Sequence, residues 1–102
     1  MLTYDQARQF GKLYTGAMNS GLETYAALFA PQATITVHGQ PATLERVREV
    51  TPPDRSGHRG ARLDPPEVVF TIRVRDVAAA SVADIEHRVV VDDDGRITRL
   101  TV

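Results

Sequence analysis

The chain has 102 residues, of which 42% are apolar and 25% are charged, as in an ordinary soluble globular protein. Its formal net charge of −1 gives no general reason to bind nucleic acid or an anionic membrane, and the lack of cysteine excludes disulfides and thiolate chemistry. No apolar run reaches the roughly 18 residues of a membrane span, and no signal-peptide pattern opens the chain. We therefore expect residues 1–102 to form one cytoplasmic domain.

The first third of the chain predicts a helical hairpin. Thr3 and Gln6 have the spacing of a capping box ahead of a first helix. Apolar residues then recur at helical spacing: Ala7, Phe10, Tyr14 and Ala17. Ser20 and Glu23 form a second such box, which predicts that "GLETYAALFA" is a shorter helix ended by Pro31.

The pattern then changes from helical spacing to alternation. Residues 33–39, "ATITVHG", predict a strand with Val37 on one face and His38 on the other. Residues 43–50 predict a short third helix that Thr43 caps. The hairpin and this third helix would lie together on one side of a sheet.

The second half predicts a loop followed by a meander. Residues 51–66 hold four of the six prolines and are interpreted as a loop, either a lid or a disordered segment. Three strand-like stretches follow: 67–75, 77–91 and 96–102. The second is too long for a typical strand, so we expect a bulge near residues 81–84, and Asp94-Gly95 predicts a hairpin. The fold class is α+β, a curved antiparallel sheet packed against helices.

Two stretches and the order of elements carry a resemblance to a known family. They are "YAALFAPQATITVHGQPATLERVREV" and "VVVDDDGRITRLTV". They resemble the nuclear transport factor 2-like (NTF2-like) superfamily, within it the ketosteroid isomerase and SnoaL-like polyketide cyclase branch. Phe-Ala-x-x-Ala-Thr leads into the first strand of that branch, and Asp-x-x-Gly-Arg-Ile joins the last two.

The resemblance covers almost the whole chain, which is shorter than typical members between residues 51 and 91. It implies a single cone-shaped domain over residues 1–102, in which a bent sheet and the helices enclose an apolar pocket. It also implies a homodimer through the outer face of the sheet. The family's tyrosine donor matches Tyr14, and its second oxyanion donor, a protonated aspartate, falls on His87. The catalytic aspartate falls on Val37, with His38 beside it, so the general-base carboxylate is absent.

His87 is an unexpected residue for a buried strand, because it lies two residues before a run of three valines. Strand alternation places it on one face with Ile85, Val89 and Val91, which predicts that it points inward. A neutral imidazole there could serve acid–base chemistry, since its reference pKa is about 6.5. The alternative is a core histidine that bonds a backbone carbonyl or a tyrosine.

The predicted catalytic residues are therefore Tyr14, His38 and His87. Alternation turns His38 away from the pocket unless a bulge at Gly39 redirects it. The predicted pocket lining consists of Phe10, Val37, Ile85 and Val89. Cross-strand ion pairs are expected on the opposite, exposed or dimer-forming face: Arg73, Arg75, Glu86 and Arg88.

These residues favour a protein that binds an apolar small molecule, either polycyclic or ketone-bearing. The reaction would be proton transfer next to a carbonyl, in an isomerisation or a cyclisation, with no cofactor or metal and with neither nucleic acid nor membrane as partner. The alternative is a non-catalytic module of the same fold that dimerises or binds a protein. Cavity volume separates the two, because a ligand pocket needs about 300 Å3 or more.

Overall fold

The structure is a computed structural model that describes residues 2–102, and it confirms the α+β class with a curved sheet. The helices are α1 (Tyr4–Ser20), α2 (Leu22–Ala26) and α3 (Leu44–Val50), and a single 3-10 turn spans Pro53–Arg55. The strands are β1 (Phe29–Val37), β2 (Gln40–Pro41), β3 (Ser56–Asp64), β4 (Glu67–Asp76), β5 (Ser81–Val91) and β6 (Ile97–Thr101). No helix in this part of the chain is long and apolar enough to cross a bilayer.

The six strands form one sheet in the order β2-β1-β6-β5-β4-β3. Four of the strand pairs are antiparallel, as predicted, but β1 runs parallel to β6. The sheet is therefore mixed, and the prediction of a purely antiparallel sheet is wrong at this one pair. The parallel pairing joins the strand that leaves the helical hairpin to the last strand of the meander.

Strand β1 starts earlier than the sequence predicts, and α2 is correspondingly shorter. Phe29, expected on the second helix, pairs with Ile97, whose N–H donates to the Leu28 carbonyl at 2.9 Å. The second capping box is also wrong, since the Ser20 hydroxyl donates back to the Gly16 carbonyl at 2.7 Å. Pairing with a distant strand outweighs the local helical pattern here.

The predicted loop at 51–66 is mostly strand β3, so its interpretation as a lid or a disordered segment is wrong. Residues 56–64 pair with β4 along their whole length, with one register shift between His58 and Gly60. The prolines only flank this strand. β3 is an edge strand, where glycines and charged side chains discourage further pairing, and its composition therefore conceals it.

The strands β4 and β5 pair without interruption from Val68 and Val89 to Asp76 and Ser81. The expected bulge at residues 81–84 is therefore wrong. The predicted stretch 77–91 is longer than a typical strand because its first four residues form the turn between β4 and β5. The hairpin at Asp94-Gly95 is confirmed, with Gly95 at a φ of +81°.

The first helix packs closely on the inner face of the sheet at Gly11. A Cβ placed on Gly11 would lie 2.5 Å from Cε1 of His58 and 3.0 Å from Cδ1 of Phe70. The predicted caps of Thr3 on α1 and Thr43 on α3 are both present. This close approach brings the middle of α1 directly over β3 and β4.

Candidate functional site

Four buried side chains form a hydrogen-bonded chain on the inner face of the sheet. The Tyr14 hydroxyl lies 2.8 Å from Nδ1 of His87, and the Thr51 hydroxyl lies 2.9 Å from Nε2 of the same ring. The Tyr25 hydroxyl bonds to that of Tyr14. None of the four side chains is exposed to solvent. We call Tyr14, Tyr25, Thr51 and His87 the inner network.

Each member of the inner network comes from a different element. Tyr14 lies in the middle of α1 and Tyr25 on α2, and His87 projects from β5. Thr51 ends α3, and its N–H donates to the Val47 carbonyl at 2.9 Å, which fixes its backbone at the end of that helix. The network therefore ties three helices to the sheet.

Alternation correctly predicts that His87 points inward, and the structure confirms its burial together with Val89. The sequence pattern did not indicate Thr51, which fell in the loop predicted at residues 51–66, and it indicated Tyr25 only as part of the second helix. A polar residue at the end of an amphipathic helix, directly before two prolines, was the available signal for Thr51. No periodicity shows which residue it meets 36 positions later.

The hydrogen-bonding capacity of His87 is fully used. A neutral imidazole has one donor and one acceptor nitrogen, and both find a hydroxyl partner here. The Tyr14 ring is packed edge-on to Tyr25 and His87, with centroids 5.3 and 5.7 Å apart. It also lies 5.0 Å from the ring of Phe70. The network is thus enclosed by aromatic rings, and both nitrogens of His87 have hydrogen-bond partners.

Burial keeps the inner network uncharged. It lowers the pKa of His87 to about 3, since a buried imidazolium loses its hydration. Burial, reinforced by Tyr25, raises the pKa of Tyr14 well above its usual value. Burial also raises the pKa of Tyr25, although the hydrogen bond with Tyr14 works in the opposite direction. At neutral pH every member is therefore neutral.

His38, the third predicted catalytic residue, lies apart from the inner network. It is exposed in the two-residue turn between β1 and β2, with a φ of +51°, followed by Gly39 at +79°. Positive φ at both positions is typical of the tight turn that suits a hairpin. No hydrogen bond joins the His38 side chain to Tyr14 or His87 in residues 2–102, and its role as a base stays a prediction.

The residues predicted to line a pocket lie in or beside the core. Val37 and Val89 are buried, the Phe10 ring packs edge-on against Phe70 at 5.6 Å, and Ile85 is half-buried. None of the four lines either of the two cavities described below. Their role as a ligand lining therefore stays a prediction.

Two cavities lie outside the inner network. The larger, of about 390 Å3, lies where the 3-10 turn leads into β3, beside the far end of β4; its lining consists of residues 54–59, Arg73 and Arg75. The smaller, of about 170 Å3, is lined by Leu2, Leu63, Pro65, Pro66, Glu67, Val68 and Val91. No group of three or more metal-ligating side chains gathers within residues 2–102.

The ion pairs predicted on the outer face of the sheet are present for Arg73, Glu86 and Arg88, but Arg75 forms none within residues 2–102. Arg88 contacts Asp64 and Glu67 at 3.2 Å and Glu86 at 3.3 Å. Arg73 bonds to Asp84 at 2.9 and 3.2 Å, and this interaction lowers the pKa of the Asp84 carboxyl. Arg62 pairs with Glu86, and Arg99 approaches Glu67 at 3.8 Å.

Solved structures identify the fold. A de novo designed NTF2-fold protein is similar to this chain with a TM-score of 0.71 and 17% sequence identity. The match covers 99% of this chain and 85% of the designed protein. An NTF2-like protein of unknown function from Burkholderia xenovorans covers 96% of this chain and 82% of its own, at a TM-score of 0.68 and 10% identity. A proposed polyketide cyclase from Sinorhizobium meliloti covers 88% of each chain, at a TM-score of 0.64 and 14% identity.

This chain therefore has the NTF2 fold, as its sequence motifs predict. No protein-family model matches it, and no curated protein does. Because the structural likenesses are at low identity, they show the fold alone.

Proposed function

We propose that this protein is a non-catalytic dimerisation module with the NTF2 fold. One observation carries the proposal: Tyr14 and His87, the residues that the resemblance assigns to catalysis, have no exposed surface and are already paired. In this chain they hold the interior of the cone together.

A catalytic donor has to reach the charge that develops on its substrate. The Tyr14 hydroxyl lies between Tyr25 and His87, so a substrate oxygen would have to displace one of them. A buried polar group left unpaired in this way costs about 1–3 kcal/mol. The closed network thus favours a structural role for Tyr14 and His87 over a catalytic one.

The outer face offers the surface for a second copy. Its central part balances three arginines against three carboxylates: Arg62, Arg88, Arg99, Asp64, Glu67 and Glu86. A twofold axis brings one patch against itself, so a patch that carries both signs can complement its own copy. The side chain of Arg99 is 51% exposed and makes only the long contact to Glu67, so it is the member most available to a partner.

Sedimentation of the purified protein tests this proposal. We expect a dimer whose dissociation constant rises about tenfold or more in Arg99→Glu, equivalent to about 1.4 kcal/mol. Arg46→Glu is the matched control, since Arg46 is also an exposed, singly paired arginine but lies on α3. A wild-type protein that stays monomeric up to about 1 mM, a Kd worth only about 4 kcal/mol, would contradict the proposal.

A second candidate is the binding of an apolar, ketone-bearing molecule with proton transfer next to its carbonyl, as in the SnoaL-like branch. It is favoured by the direct bond between Tyr14 and His87 on apolar surroundings. Those two would stabilise the enolate oxygen, and His38 would act as the base. Phe10, Val37, Ile85 and Val89 would line the site once the cone opened.

Calorimetry with a phenol, which mimics an enolate, tests the second candidate. Saturable binding that weakens about tenfold in Tyr14→Phe would support it, since this change removes only the hydroxyl. Tyr4→Phe is the matched control, since it removes the same hydroxyl from an exposed tyrosine on the same helix and should leave binding unchanged. If no binding is detected, the second candidate fails and the closed network is retained.

A further inference from the structure

The larger cavity is a groove at one end of the sheet. We call residues 54–59 with Arg73 and Arg75 the arginine groove. Its volume of about 390 Å3 falls within the range of small-molecule sites, about 300–1,000 Å3. It opens to solvent next to the edge strand β3, so a ligand can enter it without rearranging the core.

The arginine groove concentrates positive charge on a molecule whose net charge is −1. Four guanidinium groups line it, from Arg55, Arg59, Arg73 and Arg75. Two carboxylates oppose them, Asp54 in the lining and Asp84, which holds Arg73. Four positive charges against two negative ones leave a surplus of two.

Two of the four guanidinium groups have no carboxylate of their own. Within residues 2–102, no ion pair involves Arg59 or Arg75. Arg55 makes only a long contact of 3.9 Å, with Asp54. The surplus charge therefore lies on side chains that are available to a ligand.

A glycine keeps the arginine groove open. Gly57 on β3 lies directly opposite Arg73 on β4, and opposite residues in an antiparallel pair present their side chains on the same face. A Cβ at Gly57 would meet no heavy atom within 4 Å. Any larger side chain at this position would project into the space that the arginines surround.

We propose that the arginine groove binds a small molecule carrying two negative charges, through carboxylate or phosphate oxygens. The planar fork of an arginine matches both groups with paired hydrogen bonds. Two unpaired arginines match two charges, and the volume holds a small organic anion. This site lies at one end of the same outer face but uses none of the six charged residues of its central part, so it goes beyond the proposed dimerisation and does not depend on it.

Titration with pyrophosphate and with succinate, followed by amide NMR at constant ionic strength, tests the inference. We expect saturable shifts at Ser56, Gly57, Arg59 and Arg75 with at least one of the two. A preference for pyrophosphate assigns the ligand to phosphates, and a preference for succinate assigns it to dicarboxylates. Shifts that grow linearly and spread over all exposed arginines would overturn the proposal.

Two matched pairs of variants then test separately whether binding depends on the charge of the arginine groove and on its shape. Arg59→Gln with Arg75→Gln should weaken binding about tenfold or more, whereas Arg96→Gln, an exposed arginine on the last hairpin, should leave it unchanged. Gly57→Val keeps every charge but fills the groove, so it should also abolish binding. Gly60→Val adds the same side chain to open space on β3 outside the groove and should not. Equal effects within either pair would overturn the proposal.

Discussion

His87 is the shared hydrogen-bond partner of two buried hydroxyls that come from different helices. Its ring bonds Tyr14 at one nitrogen and Thr51 at the other. An aliphatic residue at this position of β5 would fill the space but would remove the His87 partner of both hydroxyls, leaving Tyr14 only its bond to Tyr25. A histidine before a run of valines is thus explained by what it meets across the cone.

Replacing His87 should destabilise the fold strongly. His87→Ala removes a buried ring and two hydrogen bonds at once, so we expect a loss of about 2–5 kcal/mol in the free energy of unfolding. Urea denaturation measures it. His38→Asn is the control, since asparagine tolerates the positive φ of that exposed turn, and it should change stability by less than about 0.5 kcal/mol. A similarly small effect of His87→Ala would refute a structural role.

The same residue makes stability depend on pH. The folded state lowers the pKa of His87 to about 3, against about 6.5 in an unfolded chain, so only the unfolded state takes up this proton between those values. Stability is therefore fully present above about pH 6.5 and falls with acidification toward pH 3, by about 1.4 kcal/mol per pH unit from this group. Urea unfolding of the wild type and of His87→Gln, measured at several pH values between about 7.5 and 5, isolates the contribution of His87 to the pH dependence of stability. Identical slopes would contradict the assignment.

Among the elements, local signals predicted the starts of α1 and α3 and the last hairpin turn, but neither end of α2. Thr3, Thr43 and Asp94-Gly95 all act as expected, because caps and tight turns depend on neighbouring residues. The start of β1 and the whole of β3 were not predicted. Both strands exist through pairing with distant strands, and neither has an alternating apolar pattern of its own at those residues.

The packing of α1 on the sheet predicts opposite effects at its two glycines. Gly16→Ala meets nothing within 4 Å and should stabilise the exposed side of the helix by about 0.5–1 kcal/mol. Gly11→Ala gains the same helix propensity but forces apart the rings of His58 and Phe70, and overpacking costs about 1–3 kcal/mol. Thermal denaturation of the two variants checks this. If both are stabilised alike, α1 does not pack as closely as described.

His58 shows why this contact matters. Its Nδ1 is buried and has no hydrogen-bond partner within residues 2–102. Burial, together with the nearby charges of Lys12 and Arg8, lowers the pKa of its imidazole. These effects favour the neutral form of the ring, which lies between α1 and the groove in the space that Gly11 provides.

For the whole molecule, the fold was predictable from the sequence, but whether the interior of the cone is open or filled by side chains was not. The helical stripe containing Tyr14 and the alternation around His87 placed both inside a cone. Whether that cone is open depends on how Thr51, Tyr25 and the neighbouring rings fill it, and those contacts join segments far apart in sequence. The arginine groove was equally hidden, because half of it lies on a strand whose composition is that of a loop.

The most direct test of the closed inner network is an NMR pH titration of the His87 side chain, with and without phenol. A closed network predicts a ring that stays neutral until the protein unfolds in acid, with nitrogen shifts that phenol does not move. Titration near pH 6.5, or a shift of His87 on addition of phenol, would contradict it and would show that the cone opens to a ligand.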